Sequence, residues 1–170
     1  VENKKLGTVD FLMPNGSLVF RTKRSLEQGK LVFQLGSSSK ETAIKGAEVV
    51  ANDVDAIDLN MGCPKAFSIK GGMGAALLKK PEVACGIISA LVDKFPDLPI
   101  TCKIRLLDTP EETISLCKSL EQAGAYAISV HARCEAERPK DPAHWNDITP
   151  IVKAVNIPVL ANGDLYSHKS

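Results

Sequence analysis

A chain of 170 residues, 44% of them hydrophobic, is long enough and apolar enough for one domain with a sizeable core. Lys and Arg number 21 against 20 Asp and Glu, so no global field draws the protein to nucleic acid. Any such contact must come from local clusters: Lys4 and Lys5, then Arg21, Lys23 and Arg24, then Arg133, Arg138 and Lys140.

The first thirty residues read as a β-hairpin and a lead-in segment: Thr8–Met13 and Leu18–Arg21 are β-prone and flank the turn Pro14-Asn15-Gly16-Ser17. From residue 31 to 164 the pattern is strand, loop and helix in about five consecutive units. Leu31–Leu35 is a short apolar strand, followed by a helix from Ser38 to Asn52, with Ser38 as its cap and Glu41 completing a capping box. Ala43, Ala47, Val50 and Ala51 share one face of that helix. Ala56–Asn60 is the second strand, and the glycine-rich stretch Lys70-Gly71-Gly72-Met73-Gly74 leads into Ala75–Lys79 and a helix from Pro81 to Lys94. The third strand is Ile100–Arg105, and Thr109-Pro110-Glu111-Glu112 starts a helix that ends at Gly124. Ala127–His131 is the fourth strand. A charged loop from Arg133 to Ala143 follows it, with His144 and Trp145 expected to pack that loop onto a helix over Asp147–Val155. Ile157–Ala161 is the fifth strand, and His168 is expected in a frayed terminus.

Continuous apolar strands alternating with amphipathic helices specify an α/β fold with a parallel sheet covered by helices. Strand side chains alternate faces. On that rule Gln34, Asp58 with Asn60, Thr101 with Lys103 and Arg105, Ser129 with His131 and Arg133, and finally Asn162 stand on one face. Aliphatic residues such as Ile57, Leu59, Ile104, Ile128 and Val130 stand on the other. A doubly wound sheet places ligands at a switch point, whereas a barrel turns such a face inward and places its chemistry at the C-terminal strand ends. The fold expected is therefore a (β/α)8 TIM barrel, incomplete, with about five of its units present. Asp58 is also a plausible ion-pair partner for Lys103, which would make both structural. Gln34, Asn60, Lys103, His131 and Asn162 together are costly to keep for packing alone, and the donor-rich set of Gln34, Lys103, Arg105, His131, Arg133 and Asn162 suits an electron-rich heterocycle such as a reduced flavin.

Asn60-Met61-Gly62-Cys63-Pro64 follows the second strand directly. Pro64 keeps Cys63 out of helical geometry, and Gly62 is expected to allow the turn that brings the thiol over the barrel mouth. A thiol in water is mostly protonated near neutral pH, which suits a general acid, and neighbouring cations could instead favour a nucleophile. Cys85, Cys102 and Cys117 read as inert core residues, and Cys134 sits in the loop.

The stretch Asp58-Leu59-Asn60-Met61-Gly62-Cys63-Pro64, then Lys70 to Leu78, closely resembles the signature of the tRNA-dihydrouridine synthases. Gln34-Leu35-Gly36, Lys103-Ile104-Arg105, Val130-His131-Ala132-Arg133 and Ala161-Asn162-Gly163-Asp164 follow in that family's order. The wording is most similar to the eukaryotic type acting on uridine 20. The resemblance implies a flavoprotein oxidoreductase of tRNA processing: NADPH reduces FMN, hydride passes from flavin N5 to C6 of a tRNA uridine, and Cys63 gives a proton to C5. It implies cofactor-binding roles for Gln34, Lys103, His131, Asn162, Gly163 and Asp164, and substrate-binding roles for Asn60, Arg105 and Arg133. No metal is implied. The family's first two strands and last strand have no counterpart here, so this polypeptide alone is expected to bind FMN weakly and to have little activity.

The first alternative is another FMN barrel reductase acting on free pyrimidines, similar to dihydroorotate dehydrogenases; the second is a non-catalytic truncated form that binds a partner through its open edges. Both ends read as cut, with Val1 inside a charged stretch and Ser170 just past an Asn-Gly-Asp turn, so the chain is expected to be part of a longer protein. The five cysteines, at 63, 85, 102, 117 and 134, form no Cys-x-x-Cys pair, which argues against zinc and fits a reducing compartment. No signal peptide and no apolar run near the roughly 18 residues of a span is present, so a soluble cytoplasmic protein is expected, with no membrane contact.

Overall fold

The computed structural model describes residues 1–27, 29 and 31–167, so the expectation for His168 lies outside the described residues. Two sheets are present, one of three antiparallel strands and one of five parallel strands.

The antiparallel sheet contains β1 (Glu2–Asn3), β2 (Thr8–Leu12) and β3 (Leu18–Thr22). The Pro14–Ser17 turn closes through N–H donation from Met13 to Ser17 O and from Gly16 to Met13 O, each at 2.8 Å. Asp10 lies buried at the centre and accepts from Arg21 Nε and Nη2 at 2.5 and 2.6 Å, from Asn3 Nδ2 at 3.0 Å and from Thr8 Oγ1 at 3.0 Å. Those donors hold its carboxyl well below the usual carboxylate range, Arg21 foremost. Arg24, in the short helix α1 (Arg24–Glu27), pairs with Asp53. The expected basic cluster at residues 21–24 is thus engaged within the protein at Arg21 and Arg24.

The parallel sheet runs in the order β4 (Val32–Leu35), β5 (Ala56–Asn60), β6 (Ile100–Leu106), β7 (Ala127–Cys134) and β8 (Val159–Asn162). Helices α2 (Lys40–Val50), α3 (Ala66–Lys70), α4 (Pro81–Lys94), α5 (Pro110–Gln122) and α6 (Ile148–Ala154) fill the connections, with 3-10 turns at Gly74–Lys79 and Trp145–Asp147. Ile57, Leu59, Cys102, Ile104, Ile128 and Val130 are fully buried against Ala43 and Ala47 of α2, Ile87 and Leu91 of α4, Leu120 of α5 and Ile151 of α6. Full burial of each large aliphatic side chain contributes about 1.5–3 kcal/mol, so this outer layer carries most of the stability. Burial pushes the Cys117 thiol up to about 12 and raises Cys102 and Cys85 as well, which fits their reading as packing residues.

The sheet does not close. The inward-pointing Val32 of β4 and Leu160 of β8 are 54% and 53% exposed, so the inner face is uncovered at both edges. The fold is α/β, with five consecutive strands of an incomplete (β/α)8 barrel. Among the described residues no helix is long and apolar enough to cross a membrane.

Three local details differ from the sequence reading, the first being that β7 runs through Cys134, which was expected in the loop. The cap of α2 is Ser39 rather than Ser38: its extended backbone and its side chain, which accepts from Thr42 N at 3.3 Å, satisfy the first turn. The segment after Cys63 also contains a helical turn, α3, just before the expected glycine-rich stretch, where the sequence reading assigns no element. The start of α5 is the expected capping box, with Thr109 Oγ1 accepting from Glu112 N and Glu112 Oε2 accepting from Thr109 N, both at 3.2 Å. Thr109→Ala should cost about 1 kcal/mol in urea unfolding; an unchanged midpoint would show that this cap does not hold the helix.

Candidate active site at the strand ends

The parallel register sets the inner face in rows. Gln34, Asp58 and Thr101 lie side by side across β4, β5 and β6; Asn60, Lys103 and Ser129 form the next row, and Arg105, His131 and Asn162 the last. A cavity of about 250 Å³ opens above them, lined by Gln34, Asn60, Cys63, Lys103, Arg105 and His131 together with Gly62, Pro64 and Ile104. Asn162 joins through Lys103, whose Nζ donates to Asn162 Oδ1 at 2.9 Å. A larger cavity of about 370 Å³ lies in the helical layer, against Leu106, Leu116 and Leu78. It lacks the convergence of thiol, imidazole and cations found at the smaller one, so the smaller one is the candidate site.

Asp58 does not pair with Lys103. It is buried and accepts from Gln34 Nε2 and Thr101 Oγ1, both at 2.8 Å. Burying a polar group without partners costs roughly 1–3 kcal/mol, and these two bonds offset that cost without using the lysine.

The Cys63 loop is held from both sides. Asn60 Oδ1 accepts from Gly62 N at 3.1 Å and Cys63 N at 3.0 Å, and Cys63 O accepts from Ala75 N at 3.1 Å. The glycine this geometry requires is Gly74. Its φ is 59°, and a Cβ there would stand 2.4 Å from Ser68 Oγ and 2.7 Å from Cys63 O. Gly62 is outside the positive-φ set, and a Cβ on it would make ordinary contact with Arg105 Cγ at 3.5 Å, so its expected role in the turn is corrected. Cys63 itself is a free, half-buried thiol.

Arg105 spans the mouth. Its Nε donates to Gly62 O at 2.8 Å and its Nη1 to Cys134 O at 2.9 Å. Burial lowers the Lys103 pKa, partly countered by Asp58, and Arg105 lowers it further. His131 is also lowered, first by burial and then by Arg105, Lys103 and Arg133. Its Nε2 lies 3.2 Å from Arg133 Nη1, which can only donate, so the neutral ring carries its proton on Nδ1.

Arg133 is placed differently from the expectation that it faces a substrate. After the Arg105–His131 pair the next register pair is Leu106–Cys134, so β7 bulges at Ala132 and Arg133. The bulge turns Arg133 under the loop, where it is 4% exposed. It donates to Asp141 O at 2.6 Å and pairs with Asp164 at 2.6 Å. Asp164, at φ 51°, also accepts from Ala143 N at 2.9 Å, and Arg133 holds its carboxyl below the ordinary value. Gly163, at φ 120°, packs so closely that a Cβ would lie 3.1 Å from Ala143 and 3.2 Å from the His131 ring. The loop closes with His144 Nε2 against Glu137 Oε1 at 2.6 Å, while Trp145 remains partly exposed. Of the basic cluster in this loop, Arg138 and Lys140 are exposed and Arg133 is not. Sequence reasoning sets Thr101 on the polar face and Gly74 in a glycine-rich stretch but gives neither a task, and it misses Ser68 and Glu137; the task of Thr101 comes from Asp58, far away in the chain, and that of Gly74 from backbone shape.

Residues 7–170 match the family described as dihydrouridine synthase. The chain is 40% identical over 174 residues to the tRNA-dihydrouridine(20) synthase [NAD(P)+] of Schizosaccharomyces pombe, covering 99% of this chain and 36% of that protein. It is 41% identical over 174 residues to the Saccharomyces cerevisiae protein of the same name, covering 95% of this chain and 45% of that one. The chain therefore spans less than half the length of these relatives. A dihydrodipicolinate synthase from Agrobacterium tumefaciens shares the fold at a TM-score of 0.55 and 16% identity, over 76% of this chain and 42% of that one.

The two histidines give a direct check on the site. In an NMR titration the His131 ring should titrate below the ordinary 6.5 and the His144 ring above it, because Glu137 hydrogen-bonds and stabilises the His144 cation. For His131 the unfolded chain binds the proton more readily, so its contribution to stability is present above 6.5 and lost as pH falls toward the folded value. The reverse order of titration would contradict the cationic surroundings of His131.

Proposed function

Because this chain belongs to the dihydrouridine synthase family, we propose that its strand ends form part of a site that reduces uridine in tRNA to dihydrouridine, with Cys63 as the proton donor. The observation that carries this reading is the convergence of Cys63, Lys103, Arg105 and His131 on one cavity at the C-terminal ends of parallel strands.

The donor set fits a flavin. Lys103, Arg105 and His131 line the cavity, and among the described residues lining it there is no carboxylate. Such a wall favours an electron-rich ring with carbonyl oxygens. Lys103 and His131 would hold FMN, with Gln34, Asn162, Gly163 and Asp164 as further members of the cofactor site. Bound FMN would supply hydride to the uracil ring, having received it from a nicotinamide such as NADPH.

The chain's own residues do the rest. The Cys63 thiol gives its proton to C5 as hydride reaches C6, so the C5–C6 double bond becomes single, and the thiolate regains a proton from solvent. Asn60 holds the Cys63 backbone toward the cavity, and Arg105 fixes Gly62 O beside it. The target base must leave its stack to reach this depth, which suits a tRNA loop. Exposed Lys65 and Lys70 in the segment after Cys63, with exposed Arg138 and Lys140 in the loop after β7, would supply phosphate contacts. The similarity to tRNA-dihydrouridine synthases favours a uridine in tRNA over a free pyrimidine.

In the full-length protein, Cys63→Ala should keep flavin colour and flavin bleaching by NADPH, while dihydrouridine formation falls roughly 100-fold or more. Full yield from that variant would remove Cys63 from the reaction. Lys103→Ala should instead weaken flavin retention through gel filtration; undiminished retention would remove Lys103 from the cofactor site.

A further inference from the structure

We infer that Asp58 is a positioning residue: through Gln34 and Asn60 it sets the direction in which the Asn60 amide faces the Cys63 loop. The inference rests on the reading of Cys63 as proton donor, and it names a residue that touches neither thiol nor cavity.

The argument is one of donor and acceptor order. Thr101 Oγ1 donates to Asp58 Oδ1 at 2.8 Å, and Gln34 Nε2 donates to Asp58 Oδ2 at 2.8 Å. Asn60 Nδ2 donates to Gln34 Oε1 at 2.8 Å, and Asn60 Oδ1 accepts from Gly62 N and Cys63 N at 3.1 and 3.0 Å. A carboxylate offers only acceptors, so Gln34 must present its NH2 to Asp58 and its oxygen to Asn60. Asn60 must then present its NH2 to Gln34 and its oxygen to the loop. The loop amides can only donate, so the far end of the chain demands the same order.

Both amides are thereby fixed in one of their two flips. A flipped Asn60 would set its NH2 against two N–H groups and its oxygen against another oxygen. The register makes the chain possible, since Gln34, Asp58 and Thr101 are direct neighbours across β4, β5 and β6. Asp58, 7% exposed, is the anchor because water competes least for it.

Reversal provides the test. Asp58→Asn can face Gln34 with either end and so releases the order. In the double variant Asp58→Asn with Asn60→Asp, the new carboxylate at 60 still accepts from the loop amides. Gln34 then donates to position 60 and accepts from position 58, while the amide oxygen at position 58 accepts from Thr101. A residue that matters only for packing has no reason to be rescued by that second change.

Amide hydrogen exchange at Gly62 and Cys63 in the full-length protein, resolved by mass spectrometry with fragmentation, reads the result. Asp58→Asn should speed exchange there at least about tenfold while Ile57 and Leu59 keep their protection, and the double variant should restore it to within about threefold. Should Asp58→Asn fail to fold, Gln34→Leu, at an exposed position on an edge strand, should give the same loss of protection. Unchanged exchange in the folded single variant, or in Gln34→Leu, overturns the inference, as does a double variant no better protected than Asp58→Asn. In tRNA turnover Asp58→Asn should lower kcat with little change in KM. Exchange that follows the expected pattern in a protein unable to reduce uridine would count against the functional reading and leave the Asp58 relay standing.

Discussion

The constraint on which the site depends is the in-step pairing of five parallel strands. Gln34, Asp58, Thr101, Lys103, His131 and Asn162 have no sequence proximity, yet the ladder sets them in adjacent rows on one face. A slip of one residue in any strand would send its polar side chains into the helical layer and bring aliphatic ones to the cavity. The continuous aliphatic face prevents that slip. Displacing Ile57 and Leu59, or Ile104 and Val130, from the helices would forfeit several kcal/mol at once.

Within this frame the polar residues divide by task. Lys103, Arg105 and His131 give the cavity its cationic, donor-rich character, while Asp58, Thr101 and Arg133 are spent on fixing other groups. Arg133 joins Asp141 in the loop to Asp164 after β8, so the loop and the last strand are fastened by one side chain. Burial, and after it the charges of Arg105, Lys103 and Arg133, lower the His131 pKa, and the Arg133 Nη1 contact sets the tautomer of the neutral ring.

Much of this was legible in the sequence. Strand alternation assigns Gln34, Asn60, Lys103 and His131 to one face, and Thr109-Pro110-Glu111-Glu112 marks the start of α5 in both sequence and structure. What alternation cannot carry is a bulge: it assumes an unbroken pleat, and the irregularity at Ala132 and Arg133 redirects the guanidinium. With adjacent serines available, the sequence reading chooses Ser38 as the cap of α2 where the structure uses Ser39. Sequence position favours Gly62 as the turn former, since it adjoins Cys63. The positive φ of Gly74 and the approach of its backbone to Ser68 and Cys63 show that the requirement falls there instead. The short β1 strand, two residues long, carries no periodic signal at all.

The amino-terminal hairpin looks remote from the chemistry, but its aromatic rings reach the sheet. Phe11 stacks on Phe20 with centroids 4.1 Å apart, and Phe20 leans on Phe33 at 5.5 Å. Phe33 precedes Gln34 on β4, an outermost strand with a single hydrogen-bonded neighbour. Three rings therefore act as a buttress on the least supported stave of the sheet, and the steadiness of the Gln34 amide is inherited in part from a hairpin with no polar contact to it. Mutations that loosen this aromatic strut would disturb the amide order beside the Cys63 loop while leaving every group around the cavity intact.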